Sequence, residues 1–248
     1  MAHDDVKKFY NETMPAKFGT DYEHNRWFRD DIQRAGYDLT LRAIGMHVLS
    51  NNLLSPVRMF ELGPGAGTWT KHLRNRFPGA YIDLVDISKE MLARAQASLG
   101  VHDNLRYIES DILDWKPEGT YDFFFSSRVL EYIGDKKQFC KKIFDTLSAD
   151  GRGFVITKMP HYTREKLLRR KTSALHGGQI SPITLVALLR DAGFEDVVAY
   201  PVTVSIPLFH NASLNLHVGK ILSNYPIGLL GMFFAESYAV VFRKPQKV

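Results

Sequence analysis

Val57-Arg58-Met59-Phe60-Glu61-Leu62-Gly63-Pro64-Gly65-Ala66-Gly67-Thr68 is the stretch from which the rest of the chain can be read. Val57 to Leu62 is an apolar run of strand length, and Gly63 ends it. Thr68 to Arg76 then has the composition of a helix. Three glycines between a strand and a helix allow a tight turn. They also let a ligand approach backbone N–H groups at the helix N-terminus. Taken alone, the triplet is equally compatible with an ordinary strand-to-helix turn.

Three ligand classes compete for such a turn. A P-loop needs Gly-Lys-Ser/Thr after four spacer residues, and no lysine stands at that place. A dinucleotide fingerprint puts its third glycine three residues after the second. That position is Thr68, and the glycine is Gly67 instead. Pro64 also removes one backbone donor where a pyrophosphate would lie. The third class is a ligand with no phosphate at this point.

Working outward, short apolar strands alternate with amphipathic helices. Strands are predicted at Tyr81–Val85, Leu105–Ile108, Tyr121–Ser126, Gly153–Thr157, Val197–Val204 and Ser237–Phe242. Ser88 is a predicted N-cap, with Glu90 in the first turn and Gly100 past the last residue, Leu99. Lys136–Leu147 has apolar residues at helical spacing. Ser181-Pro182 starts a helix that Gly193 ends. Alternation of this kind predicts a parallel sheet covered by helices on both faces. Ligands then bind beyond the carboxyl ends of the strands.

No repeat or long linker divides the chain, so residues 1–248 are expected to form one domain. Its core spans 57–204 and 235–243. Two segments depart from the alternation. Residues 1–50 mix aromatic and charged side chains closely: Phe9, Tyr10, Phe18, Tyr22, Arg26, Trp27 and Phe28. Residues 205–234 are an insertion before the last strand. Both are expected on the ligand edge as lids, the first with Tyr10, Tyr22 and Trp27 over the ligand.

With 248 residues, 45% hydrophobic and 24% charged, the composition excludes a disordered, collagenous or coiled-coil chain. The single cysteine, Cys140, excludes an internal disulfide and fits a reducing compartment. A net charge of +5 permits a nucleic-acid partner, but no binding module for one is visible, and none is expected. The N-terminus lacks the apolar core of a signal peptide. The longest apolar stretch, Pro226–Ala235, falls well short of the roughly 20 residues of a membrane span. A cytoplasmic protein is expected, with contact to a membrane surface left open.

Glu61 through Gly67 resembles the first motif, E/D-x-G-x-G-x-G, of the class I S-adenosylmethionine-dependent methyltransferases, in particular their ubiquinone-biosynthesis-like, small-molecule group. Asp86 closes the second strand, nineteen residues after Gly67. An acidic residue there can accept from both ribose hydroxyls of an adenosine, though nicotinamide enzymes use the same device. The resemblance implies that Gly63 and Gly65 let the methionine moiety approach, that Ile87 belongs to the cofactor site, and that Met91 or Leu92 packs near the adenine. It further implies that Asp111 meets the adenine amino group beside Ile112. Tyr121–Ile133, with Ser126 and Ser127, resembles the fourth motif. Leu147–Gly153 resembles the turn before strand five, with its proline and one glycine replaced. The implied fold is a Rossmann-like, doubly wound α/β sheet of seven mostly parallel strands whose last strand is antiparallel. The implied cofactor is S-adenosyl-L-methionine.

The acceptor is narrowed by exclusion. Base N-methylating enzymes carry N/D-P-P-Y/F after strand four, where this chain has Ser126-Ser127-Arg128-Val129. Cytosine C5 enzymes need a cysteine there, and Cys140 lies too late. The metal-dependent catechol type needs clustered carboxylates, and no metal is expected. A small-molecule acceptor remains, methylated on oxygen or carbon. Alternatives are an RNA or protein acceptor, or an NAD-dependent oxidoreductase. Histidines on the ligand edge are candidate bases: His161 first, then His176, His210 and His217. The run Arg164, Lys166, Arg169, Arg170, Lys171 and the apolar Ile227–Phe234 stretch slightly favour an anionic, amphiphilic, lipid- or sugar-like acceptor.

Overall fold

The computed structural model describes residues 3–14, 16, 19, 22–160, 178–206 and 211–246. Seven strands form one sheet: β1 (Arg58–Leu62), β2 (Tyr81–Asp86), β3 (Leu105–Glu109), β4 (Tyr121–Ser127), β5 (Leu147–Lys158), β6 (Glu195–Pro201) and β7 (Ser237–Arg243). Their order is β3-β2-β1-β4-β5-β7-β6. β1 to β5 are parallel, and β7 runs antiparallel between β5 and β6. The order reverses at β1, whose neighbours are β2 and β4, so the switch point lies beside the glycine turn.

The helices are α1 (His3–Lys8), α2 (Tyr22–Trp27), α3 (Asp31–Ile44), α4 (Thr68–Arg76), α5 (Lys89–Leu99), α6 (Lys136–Thr146), α7 (Pro182–Asp191), α8 (Ala212–Leu222) and α9 (Leu229–Phe234). Period-two alternation decides which strand residue meets which helix layer. Phe60, Phe124, Val155 and Val240 pack on one face with Phe139 and Ile143 of α6 and Leu185 and Leu189 of α7. Met59, Phe123, Phe125 and Ile156 pack on the other with Ile44 of α3, Leu73 of α4 and Ala95 of α5. Phe60 and Phe124 stack at 4.6 Å between centroids, and Phe125 and Phe154 at 5.7 Å. These rings bury much of the apolar surface that holds the layers together.

Caps form where side-chain chemistry predicts them. Ser88 accepts from the Met91 amide and Ser181 from Thr184, with Pro182 in the first turn. Asp135 caps α6 from Gln138. Two boundaries differ from the sequence reading. β5 starts at Leu147, six residues early, because Leu147 already pairs with Tyr121 of β4. β6 stops at Pro201, which has no N–H for the ladder.

The insertion also differs. Its described part, 211–234, lies on α3 and β6 rather than over the sheet's carboxyl edge. Arg42 donates to Asn224 at 2.8 Å, Gly219 abuts Leu39, and the Ile227 amide donates to the Ala199 carbonyl at 2.7 Å. No helix of the described residues is long and apolar enough to cross a membrane.

The amino end of the sheet is tied by buried charge. Asp83 is 4% exposed and accepts from Arg106 Nε and Nη2, each at 2.7 Å, and from the Tyr121 hydroxyl. Asp122 accepts from the Val57 and Arg58 amides at 2.9 and 3.0 Å. Arg106 is 44% exposed, which weakens the pair relative to a fully buried one. Replacing Asp83 by Ala orphans Tyr121 and two guanidinium donors. Urea unfolding of Asp83→Ala should show a loss of about 2 kcal/mol, and a loss under about 0.5 kcal/mol would contradict this account.

Candidate functional site

A cavity of about 260 Å³ opens at the carboxyl ends of β1, β2, β3 and β4. The glycine turn forms its floor. Gly63, Gly65 and Gly67 all have positive φ, at 68°, 58° and 86°. Each glycine has a different task. A Cβ on Gly63 would overlap Val129, and one on Gly67 would sit 2.9 Å from Leu99, so both are required by packing. A Cβ on Gly65 would meet only Arg26 Nη1, at 3.9 Å, and would otherwise project into open space. Gly65 is therefore the position at which backbone approach to a ligand is possible.

Asp86 lies in the wall above this turn. Its carboxylate accepts from the Ser88 amide at 2.9 Å, and the Gly65 and Ile87 amides favour its ionised form. Burial nevertheless pushes its pKa up to about 7, because three N–H groups offset only part of the lost hydration. Ile87, Met91, Asp111, Ile112 and Leu113 continue the wall. Asp111 Oδ1 accepts from the Leu113 amide at 2.7 Å, so it orders this turn while lining the cavity.

Three residues expected at the site lie just behind it. Glu61 is 1% exposed and accepts from Thr70 Oγ1 at 2.7 Å, tying β1 to α4. Burial pushes its pKa up to about 8. Gly67 packs on Leu99 as described. Ser126 is buried and donates to the Leu62 carbonyl at 3.0 Å, while its neighbour Ser127 lines the cavity.

The N-terminal segment crosses the open edge. α1 continues into a wide turn, Phe9–Thr13, and this stretch bonds to the ends of three strands. Lys7 donates to Glu109, the last residue of β3, at 2.7 Å. Asn11 Oδ1 accepts from Ser88 Oγ at 2.7 Å and from the Glu90 amide at 3.3 Å, beyond β2. Tyr10 donates to the Tyr132 hydroxyl at 3.1 Å, beyond β4. Burial raises both phenol pKa values, so both keep their protons.

Val6, Tyr10, Tyr22 and Arg26 form the roof. Tyr22 is 2% exposed and accepts from Arg26 Nη1 at 2.6 Å. Trp27, expected beside them, belongs to the core instead: it meets Trp69 at 5.4 Å and Tyr37 at 5.8 Å. It lies one residue past Arg26 on the same helix, so its ring leaves on another face.

Sequence reasoning missed Val6, Arg26, Arg128, Val129 and Tyr132 as cavity residues. Arg26 was visible as a cation inside an aromatic run; nothing in the sequence marked Arg128. His161, His176, His210 and the cationic run Arg164–Lys171 lie outside the described residues. His217 is on α8, away from the cavity. Among the described residues no cluster of three or more His, Cys, Asp or Glu could hold a metal ion.

Comparison with known proteins bears on the domain and the fold. Residues 59–151 match the family model of a methyltransferase domain. The malonyl-[acyl-carrier protein] O-methyltransferase of Bacillus anthracis is 37% identical over 97 residues, 39% of this chain and 36% of that protein. The trans-aconitate 2-methyltransferase of Escherichia coli O7:K1 is 31% identical over 91 residues, 37% of this chain and 35% of that one. The chain thus spans about a third of the length of the curated relatives it matches. Phosphoethanolamine N-methyltransferase 2 of Haemonchus contortus, solved with S-adenosyl-L-methionine, shares the fold at a TM-score of 0.66. That match has 16% identity and covers 97% of this chain and 60% of that one. Residues 59–151 are thus similar to a methyltransferase domain, and the sheet has the fold of the solved methyltransferase.

Proposed function

We propose that the chain transfers the methyl group of S-adenosyl-L-methionine to a small-molecule acceptor. The observation that carries this reading is the gathering of Gly65, Asp86, Met91, Asp111 and Ile112 around one cavity. A carboxylate fixed by backbone N–H groups at the end of the second strand suits a ribose diol. Asp111 and Ile112 suit the edge and face of an adenine. The open space at Gly65 suits a methionine chain, and Arg26 above it suits that chain's carboxylate.

The cofactor supplies an electrophilic methyl group on a positively charged sulfur. The protein's task is alignment and exclusion of water. Tyr10, Tyr22 and Tyr132 place ring faces and hydroxyls around the space above Gly63 and Gly65. Aromatic faces favour a nearby cation by roughly 0.5–2 kcal/mol. For an acceptor that must lose a proton, His161 is the proposed base, since in sequence it comes three residues after the last residue of β5, Lys158.

Calorimetric titration with S-adenosylhomocysteine tests the cofactor reading. Asp86→Ala should weaken binding by about 1.5–3 kcal/mol for each charge-assisted bond lost. Gly65→Val should abolish it, and wild-type affinity in either folded variant would contradict the placement.

The raised pKa of Asp86 adds a pH signature. Hydroxyl donors prefer the ionised carboxylate, so affinity should rise as pH passes about 7 and level off above. Stability of the ligand-free protein should move the other way. The unfolded carboxyl loses its proton near 3.9 and the folded one near 7, so stability falls across that window. Asp86→Asn should remove its share of both trends; unchanged profiles in that variant would assign them to another group.

The segment 3–14 is proposed to close over the bound cofactor. Amide exchange in residues 9–14 and 22–27 should slow when S-adenosylhomocysteine is added. Equal rates with and without it would exclude closure.

A further inference from the structure

Arg128 follows β4 directly and has φ +63°, in the left-handed region that non-glycine residues rarely adopt. Such a conformation persists only where the surroundings enforce it. The side chain lines the cavity, yet its bonding is poor. Nη2 donates to Ser237 Oγ at a long 3.4 Å, and Nε is buried with no partner. Beside it, Ser127 Oγ is also buried without a partner and lines the same cavity. Buried polar groups are ordinarily satisfied, so two unsatisfied donors on adjacent residues that line one cavity call for a ligand.

Charge points the same way. The charged groups acting on Arg128 are Glu131, Arg26 and Glu236, with Tyr132 beside them. Lys158 feels the same set. Among the described residues, the carboxylates Glu131 and Glu236, and Glu23 beside Arg26, stand near three cations, Arg26, Arg128 and Lys158. Glu131 is 2% exposed; Thr157 Oγ1 donates to one of its oxygens at 2.9 Å, and the other is buried with no partner. Burial lowers the pKa of Arg128, the mark of a cation whose lost hydration is incompletely replaced.

Arg26 and Arg128 approach from different sides. Arg26 descends from α2 onto Gly65 and is bonded to Tyr22. Arg128 rises from β4, separated from the glycine turn by Val129, which packs on Gly63. We propose that Arg128, with the Ser127 hydroxyl, binds an oxyanion of the methyl acceptor, a carboxylate or a phosphate. This rests on the reading that the Asp86 side of the cavity takes the cofactor. The planar guanidinium can present two parallel N–H groups to two oxygens, with the serine hydroxyl as a third donor. The acceptor is held by its anionic group, leaving its reacting atom toward the sulfur.

The test uses the full chain saturated with S-adenosylhomocysteine. Malonate, phenyl phosphate and the neutral ester dimethyl malonate are titrated as probes, the first two separating carboxylate from phosphate. Variants are Arg128→Asn, since asparagine tolerates positive φ, Arg128→Gly as a second unstrained replacement, and Arg128→Lys. Expected is binding of at least one anion and none of the ester. Affinity should fall about tenfold or more in the Asn and Gly variants and less in the Lys variant, with homocysteine-cofactor affinity kept within about twofold. Ester and acid binding alike, no anion binding to the loaded wild type, or equal anion affinity in the folded variants would overturn the proposal. A parallel fall in S-adenosylhomocysteine affinity would overturn it too, by assigning Arg128 to the cofactor. Failure of the wild type to bind S-adenosylhomocysteine at all would instead overturn the reading on which it rests.

Discussion

The hydrogen bond from the Gly63 amide to the Val85 carbonyl, 2.8 Å, organises this edge of the molecule. It joins the end of β2 to the turn after β1, which runs through three residues of positive φ. Gly63 and Gly67 pack on Val129 and Leu99, Gly65 has open space before it, and the Asp86 carboxylate lies in the same cavity wall. With the turn in place, α4 starts at Thr68, and Glu61 under it can reach Thr70. The carboxylate above remains incompletely solvated, and that residual need for donors makes the wall receptive to hydroxyl groups.

Much of this is legible in the amino-acid sequence, for reasons that differ along the chain. Core strands such as Tyr121–Ser127 announce themselves because β-branched and aromatic residues fill both faces of a buried sheet. Ser88, Ser181 and Gly100 mark helix ends because few side chains satisfy orphan amides or accept positive φ. Nine of the twelve residues expected around the cofactor line the cavity: Tyr22, Gly63, Gly65, Asp86, Ile87, Met91, Asp111, Ile112 and Ser127. Glu61, Gly67 and Ser126 do not, since a linear motif records which residue types a turn requires without separating those that face a ligand from those that brace it. Arg128 is unreadable for the opposite reason: its isolation, its backbone conformation and its neighbours across β5 and β7 exist only after folding. Trp27 shows a third limit, because an aromatic residue near a site satisfies core and roof alike until the helix face is known.

The roof and the floor are held by different physics. The floor is backbone, rigid through the sheet ladder. The roof rests on side-chain bonds from Lys7, Tyr10 and Asn11 to three separate strand ends. The Lys7–Glu109 pair is solvent-exposed on both sides and contributes little at physiological salt. Asn11 shares Ser88, the residue that caps α5, so roof position and helix start are read by one hydroxyl. Tyr10 and Tyr132 meet edge to face at 5.7 Å and stay protonated, giving the cavity a neutral polar lining between its two arginines.

The bonds of Asp83 and Asp122 lie at the end of the strands away from the cavity. They tie β1, β2, β3 and β4 together without using any group that the carboxyl edge needs. Substitutions at the two ends share no partner, so their effects on folding should add with little coupling. The sheet therefore behaves as a chassis with a replaceable front. Cavity-lining side chains that brace nothing can change without touching the bonds of the far end, which is a route by which one architecture diversifies its chemistry.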